Sequence, residues 1–169
     1  MGKILYFAYG SNMLSRRLQH STRVPSAIAV AVGFITGHKL TFDKRSKDGS
    51  GKCDAEATGA PDDRVYGVIY QLETEAKAKL DCVEGLGHGY AEKRVHVVQD
   101  TNTVEAVMYY ATKKDASLHP YHWYKEYVVA GAREHGLPPD YLSLLKKVKS
   151  VEDPDSNRNA MERAILGGN

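Results

Sequence analysis

The run of apolar and polar positions divides the chain into strand-like segments first and helical segments last. Ile4-Leu5-Tyr6-Phe7-Ala8-Tyr9 is unbroken in aromatic and branched side chains, the pattern of a buried strand. Gly10 ends it, and Met13–Leu18 predicts a short helix with Ser11 or Asn12 as its N-cap. Residues 27–34 and 38–42 predict two strands joined through Thr36-Gly37. The stretch Lys44–Lys52 is polar and glycine-containing, which predicts a mobile loop. Val65–Leu72 predicts another strand, entered from a turn at Asp62-Asp63.

Helical spacing takes over in the second half. Residues 74–83 put Ala76, Leu80 and Val83 on one face, and Gly85 falls where a helix ends on a left-handed residue. Leu86–Tyr90 contains Gly87 and Gly89 and predicts a flexible loop. Strands at Lys93–Val98 and Val104–Ala111 follow, with a hairpin turn at Asp100–Thr103. Tyr121–Glu134 predicts a helix closed by Gly136, and Pro138-Pro139 opens another to about Lys149. The tail begins Asp153-Pro154-Asp155 and predicts a short helix around Ala160–Leu166. No repeat or low-complexity block interrupts the chain. Strands before helices, without regular βαβ alternation, predict an α+β fold with a mostly antiparallel or barrel-like sheet. The expected organisation is one domain over residues 1–169, with 151–169 as a peripheral C-terminal tail.

Composition narrows the function classes. The 169 residues are 42% hydrophobic and 26% charged, ordinary values for a soluble globular domain. A formal net charge of +2, with basic residues dispersed, gives no reason to expect nucleic acid as a partner. Lys146, Lys147 and Lys149 form the densest basic stretch and read as a solvated helix face. Cys53 and Cys82 make neither a disulfide framework nor a metal-ligand spacing, which points to a reducing compartment. The first residues lack signal-peptide features, and no run approaches the roughly 18 apolar residues of a membrane span. No membrane partner is expected, and the expected location is cytoplasmic. The sequence leaves a homodimer open.

The junction Tyr9-Gly10-Ser11-Asn12 is the first place where chemistry is expected. A strand feeding a helix through such a turn exposes backbone N–H groups that have no intrahelical partner. The helix dipole adds positive potential, so the turn can take a carboxylate or phosphate without a basic side chain. The same composition is more often an ordinary strand–turn–helix junction.

Four segments in order carry a family resemblance. Tyr6-Phe7-Ala8-Tyr9-Gly10-Ser11-Asn12 resembles the N-terminal signature of the γ-glutamylcyclotransferase family, within the AIG2-like superfamily. Val65-Tyr66-Gly67-Val68-Ile69-Tyr70 resembles its central strand. Leu80-Asp81-Cys82-Val83-Glu84-Gly85 with Gly89-Tyr90 resembles its LDxxEG…GxY segment. Gly131-Ala132-Arg133-Glu134-His135-Gly136-Leu137-Pro138-Pro139-Asp140-Tyr141 resembles the GAxExGLPxxY stretch of one branch.

The resemblance implies a small, mixed, mostly antiparallel β-barrel flanked by helices. It implies that the α-amine of a γ-glutamyl compound attacks its own γ-carbonyl, releasing 5-oxoproline and an amino acid or amine. The nucleophile belongs to the substrate, so no metal or organic cofactor is implied. Glu84 matches the catalytic glutamate, and Tyr6, Phe7, Ala8, Tyr9, Gly10, Ser11 and Asn12 match the substrate loop. Tyr124 matches a substrate-contacting tyrosine. Tyr90 lies in the glycine loop, one residue closer to the glutamate than in some members. The turn then has two tasks open to it: holding the α-carboxylate, or stabilising the oxyanion at the γ-carbon.

The residues suit this chemistry. One carboxylate can take the ammonium proton and return it to the leaving nitrogen. Glu84 is expected at a helix C-terminus, where the dipole's negative end opposes a carboxylate, and burial by the loop would act in the same direction. The leaving group is open among γ-glutamyl amino acids, γ-glutamyl amines and larger acceptors, with GLPxxY favouring amino acids over intact glutathione. Lys44, Arg45, Lys47 and Lys52 lie on a stretch that can cover the leaving group or simply be solvated. Rival readings are weaker. Ser11 lacks a GxSxG elbow, and His119 with His122 has no third ligand at a recognised spacing. A binding module that kept the pocket without the chemistry is the remaining alternative class.

Overall fold

The computed structural model describes residues 2–167. The strands are β1 (Lys3–Ala8), β2 (Ile28–Thr36), β3 (His38–Arg45), β4 (Gly51–Ala57), β5 (Arg64–Glu73), β6 (Tyr90–Gln99) and β7 (Asn102–Ala111). The helices are α1 (Ser15–Leu18), α2 (Thr74–Glu84), α3 (His122–Glu134), α4 (Pro139–Lys147) and α5 (Ser156–Gly167), with a 3₁₀ turn at Ser11–Met13. No helix among the described residues is long and apolar enough to cross a membrane.

Five strands close a barrel in the order β1-β5-β2-β6-β7, and β3 pairs with β4 in a separate two-stranded sheet. Barrel neighbours are antiparallel except β1 with β7, which meet in parallel at Tyr6 and Val107. Closure leaves the barrel itself without a free edge. The fold is thus α+β with a mixed, mostly antiparallel barrel. Phe7, Val68, Ile69, Val97 and Met108 from the barrel join Trp123, Tyr127 and Val128 of α3 in one buried apolar core. The buried positions of α3 (Trp123, Tyr124, Tyr127, Val128, Gly131, Ala132) recur at helical spacing, which docks one face of the helix on the barrel.

The structure corrects several sequence expectations. Lys44–Lys52 is not a mobile loop. β3 runs on to Arg45 and β4 starts at Gly51, so only the hairpin turn between them is irregular. Strand β4 carries polar Lys52, Asp54 and Glu56, a composition that hides it. The first helix splits into the 3₁₀ turn and a single α-turn. Neither Ser11 nor Asn12 caps it; the cap position is Gly10, with no side-chain hydrogen bond. Leu86–Tyr90 is held by Gly87 N–H to Tyr90 O and His88 N–H to Gly85 O, at 2.9 and 2.8 Å.

Of the expected face Ala76, Leu80 and Val83, only Leu80 is fully buried. His119 precedes α3, while His122 opens it with Nδ1 2.8 Å from Ser150 Oγ. Helix α5 is longer than expected and buries none of its residues fully. It attaches through polar contacts such as Arg17 with Glu162 at 3.0 Å and through Ile165 and Leu166, which pack partly buried against the core; just before it, Asp153 accepts from Trp123 Nε1–H at 2.8 Å. Gly168 and Asn169 of the tail lie outside the described residues.

Candidate active site

Strand β1 delivers its chain end into the space between the barrel, β4 and α3. The 3₁₀ turn that follows is pinned from several sides. Tyr70 of β5 donates its hydroxyl to Met13 O at 2.8 Å, and Arg17 Nε donates to Ser11 Oγ at 3.2 Å. Gly131 of α3 brings that helix against the turn's backbone. A Cβ at position 131 would stand 2.5 Å from Leu14 N, so only glycine permits this approach. Met13 N–H and Leu14 N–H close the turn onto Gly10 O and Ser11 O. The N–H groups of Ser11 and Asn12 have no protein acceptor among the described residues, as a helix start requires.

Beside this turn lies a small, half-enclosed cleft lined by Tyr6, Tyr9, Gly10, Ser11, Asn12, Cys53, Glu84, Tyr90, Tyr109 and Tyr124. Eight of the sequence candidates therefore meet in one place. Phe7 and Ala8 do not line the cleft; both are almost wholly buried in the core.

Glu84 reaches the cleft because α2 stops there. Gly85, at φ 72°, donates to Cys82 O, and Leu86 donates to Asp81 O at 2.9 Å. This paired closure ends the helix and leaves Glu84 as its last residue. Its half-buried carboxylate faces the turn: Asn12 Nδ2 donates to Oε1 at 2.7 Å and also to Tyr6 Oη at 3.1 Å. Arg23, from the connection into β2, donates to Asn12 Oδ1 at 3.0 Å and stands 3.5 Å from Glu84 Oε1. Glu84 Oε1 is thus held by an amide and a guanidinium. Oε2 has no partner among the described residues.

Tyrosines form most of the wall. Burial, reinforced by Glu84, pushes the Tyr6 phenol well above its ordinary range. Burial likewise raises Tyr9, Tyr90, Tyr109 and Tyr124, so all five are neutral donors at working pH. Three have committed their hydroxyl hydrogens: Tyr9 to Tyr109 O at 2.6 Å, Tyr90 to Cys53 O at 2.8 Å, and Tyr109 to Asp81. The hydroxyl oxygens of Tyr6 and Tyr124 instead accept, from Asn12 Nδ2 and Cys53 N–H. The Tyr6 hydrogen has no acceptor among the described residues, and that of Tyr124 has only the weakly accepting Cys53 sulfur. Both phenols can donate to a ligand, Tyr6 the more freely.

Cys53, Tyr109, Asp81 and Arg23 complete the site without having been singled out from sequence. Cys53 sits on the overlooked strand β4, and its main chain anchors both Tyr90 and Tyr124. Burial pushes its thiol up to about 12, so it is no thiolate nucleophile. Asp81 lay within a quoted motif, three residues before Glu84. Arg23 lies in an irregular connection that carries no sequence signal.

With the geometry in place, comparison with known proteins is informative. The AIG2-like family matches residues 64–145, which include Glu84, Tyr90 and Tyr124. A bovine γ-glutamylcyclotransferase is 34% identical over 157 residues, covering 89% of this chain and 80% of that relative. This chain belongs to the γ-glutamylcyclotransferase family. A mouse γ-glutamylcyclotransferase is 32% identical over 170 residues, covering 97% of this chain and 88% of its own. A solved structure of a γ-glutamyl cyclotransferase superposes with a TM-score of 0.87 at 29% identity, covering 99% of this chain and all of that one. This γ-glutamylcyclotransferase family member shares its fold with that neighbour over nearly the whole chain.

Proposed function

We propose that this protein is a γ-glutamylcyclotransferase in which Glu84 moves the proton. The observation that carries the reading is the asymmetry of the Glu84 carboxylate. Oε1 is held by Asn12 and Arg23, Oε2 has no partner among the described residues, and Glu84 lines the cleft. A general base needs a fixed orientation and one open lone pair, and this arrangement provides both.

The reaction balances without a cofactor. Glu84 takes a proton from the substrate's α-ammonium. The freed amine nitrogen attacks the γ-carbonyl carbon, forming the ring C–N bond while negative charge develops on the carbonyl oxygen. Glu84 then gives its proton to the amide nitrogen as the old C–N bond breaks and takes the remaining extra proton from the ring nitrogen, so the products are 5-oxoproline and an amine or amino acid, which recovers that proton as its ammonium. Holding both reacting groups of one substrate in one half-enclosed cleft supplies proximity, and the neutral phenols of Tyr6 and Tyr124 offer donors for the developing charge. The Ser11 and Asn12 N–H groups suit the glutamyl α-carboxylate, with the two tyrosines then left for the oxyanion.

Incubating the protein with γ-glutamyl amino acids, γ-glutamyl amines and glutathione, and following 5-oxoproline by mass spectrometry, tests the proposal. Release from at least one class is expected. Binding without release from any would favour a ligand-binding module.

A further inference from the structure

Lys44 stands apart from the other cations around the cleft. β3 and β4 pair through Thr41 with Asp54, and then Lys44 faces Lys52. Three steps on β3 match two on β4, so β3 carries a one-residue bulge. The bulge changes which β3 side chains share a face with β4. It also sets two lysines directly opposite, an arrangement that costs stability between strands. Lys52 is offset by Asp48, whose carboxylate accepts at 2.7 Å, and its ammonium lies 4.7 Å from the Tyr124 ring centroid.

Lys44 has no such offset. Among the described residues no carboxylate or carbonyl accepts from its half-buried Nζ, which lies 4.5 Å from the centroid of the Tyr90 ring. Its stem packs against Gly89, where a Cβ would meet Cε at 3.2 Å. Burial pushes its ammonium down, and the field of Glu84 is the largest influence opposing that. Lys44 is not itself a lining residue of the cleft; it rests on Tyr90, which is, and a half-buried cation there with no carboxylate bound to it is an unmatched charge.

We infer that Lys44 receives the carboxylate of the leaving amino acid and so selects γ-glutamyl amino acids over γ-glutamyl amines. The inference rests on the γ-glutamyl reading above. Glu84 returns its proton to the leaving nitrogen, and in an amino acid the carboxylate stands one carbon from that nitrogen. Lys44 rests on the ring of Tyr90, which lines the same cleft as Glu84, and this places its ammonium to meet that carboxylate. The glutamyl carboxylate has its own donors in the turn.

Two ligands that differ by this carboxylate, γ-glutamyl-alanine and γ-glutamyl-ethylamine, test the assignment by calorimetry on the full chain carrying Glu84→Gln, which halts turnover. Adding Lys44→Met is expected to weaken γ-glutamyl-alanine by about tenfold, the scale of one solvent-screened charged contact, and to leave γ-glutamyl-ethylamine within about twofold. Lys44→Arg, which keeps the charge, is expected to retain the preference. Equal weakening of both ligands, or no change in either, would overturn the assignment. Wild-type protein that releases 5-oxoproline from neither ligand would refute the reaction instead, with the binding comparison still deciding Lys44.

Discussion

Asn12 Nδ2 donates to Glu84 Oε1 at 2.7 Å, joining the turn after β1 to the last residue of α2. Arg23 holds the other end of the same amide at 3.0 Å, which fixes which way Asn12 points. Two sequence motifs separated by 72 residues therefore act as one unit.

Asn12→Ala removes a hydrogen bond to a charged group, worth about 1.5–3 kcal/mol. If that bond orients the base, kcat should fall about 10- to 100-fold with a smaller change in KM. Steady-state kinetics beside a thermal melt separates this from unfolding. An unchanged kcat would mean that Asn12 does not orient the base.

Arg23 acts through charge as well as through Asn12. Arg23→Ala should lower kcat/KM about tenfold, because it removes the charge beside Glu84 Oε1 and frees Asn12 Oδ1. Steady-state kinetics should show part of that loss recovered in Arg23→Lys, which keeps the charge. Equal loss in both variants would mean that charge plays no part and that the guanidinium acts only by holding Asn12.

The attachment of α5 should be acid-sensitive. Hydrogen bonds from Arg158, and then from Trp123 and the Asp155 N–H, hold Asp153 down at about 2. An unfolded aspartate titrates near 3.9, by rough model-peptide values. A carboxyl lowered on folding stabilises above its unfolded value, and that stability is lost as the pH falls from about 4 toward 2. The single tryptophan, Trp123, donates to Asp153, so its fluorescence should report the change over that interval. Asp153→Asn should lower Tm at neutral pH and remove the acid-dependent step.

Gly131→Ala would push a methyl group to 2.5 Å from Leu14 N and 2.7 Å from the Met13 carbonyl carbon, backbone atoms that cannot rotate aside. Overpacking of this kind costs roughly 1–3 kcal/mol. Tm should fall by several degrees and kcat should fall with it, because the displaced turn carries Asn12. A variant as stable and active as the wild type would show that α3 does not set the turn.

Segments whose apolar pattern matched a single element were legible in the sequence. β1, β5, α2 with Gly85, and α3 all stand within two residues of their expected bounds, because burial and helix-ending chemistry act locally. β4 was not legible, since alternating Lys52, Asp54 and Glu56 mimic a loop and only pairing with β3 makes them a strand. The site divides in the same way. Glu84, Tyr124 and the turn follow from motifs, whereas Cys53 depends on β4 and Arg23 on a connection whose path only the folded chain sets. Phe7 and Ala8 belong to the same motif, yet they serve the core, because a motif conveys a segment and not the direction of each side chain.

The central claim is that Glu84 moves the proton in the cyclisation. Glu84→Gln keeps an acceptor for the Asn12 amide but cannot shuttle a proton. The most direct test is single-turnover release of 5-oxoproline from a saturating γ-glutamyl amino acid, measured on this variant and on the wild type. The rate should fall about 10²- to 10⁴-fold with ligand binding retained, the usual contribution of a general acid–base. A rate within a few-fold of the wild type would contradict the assignment.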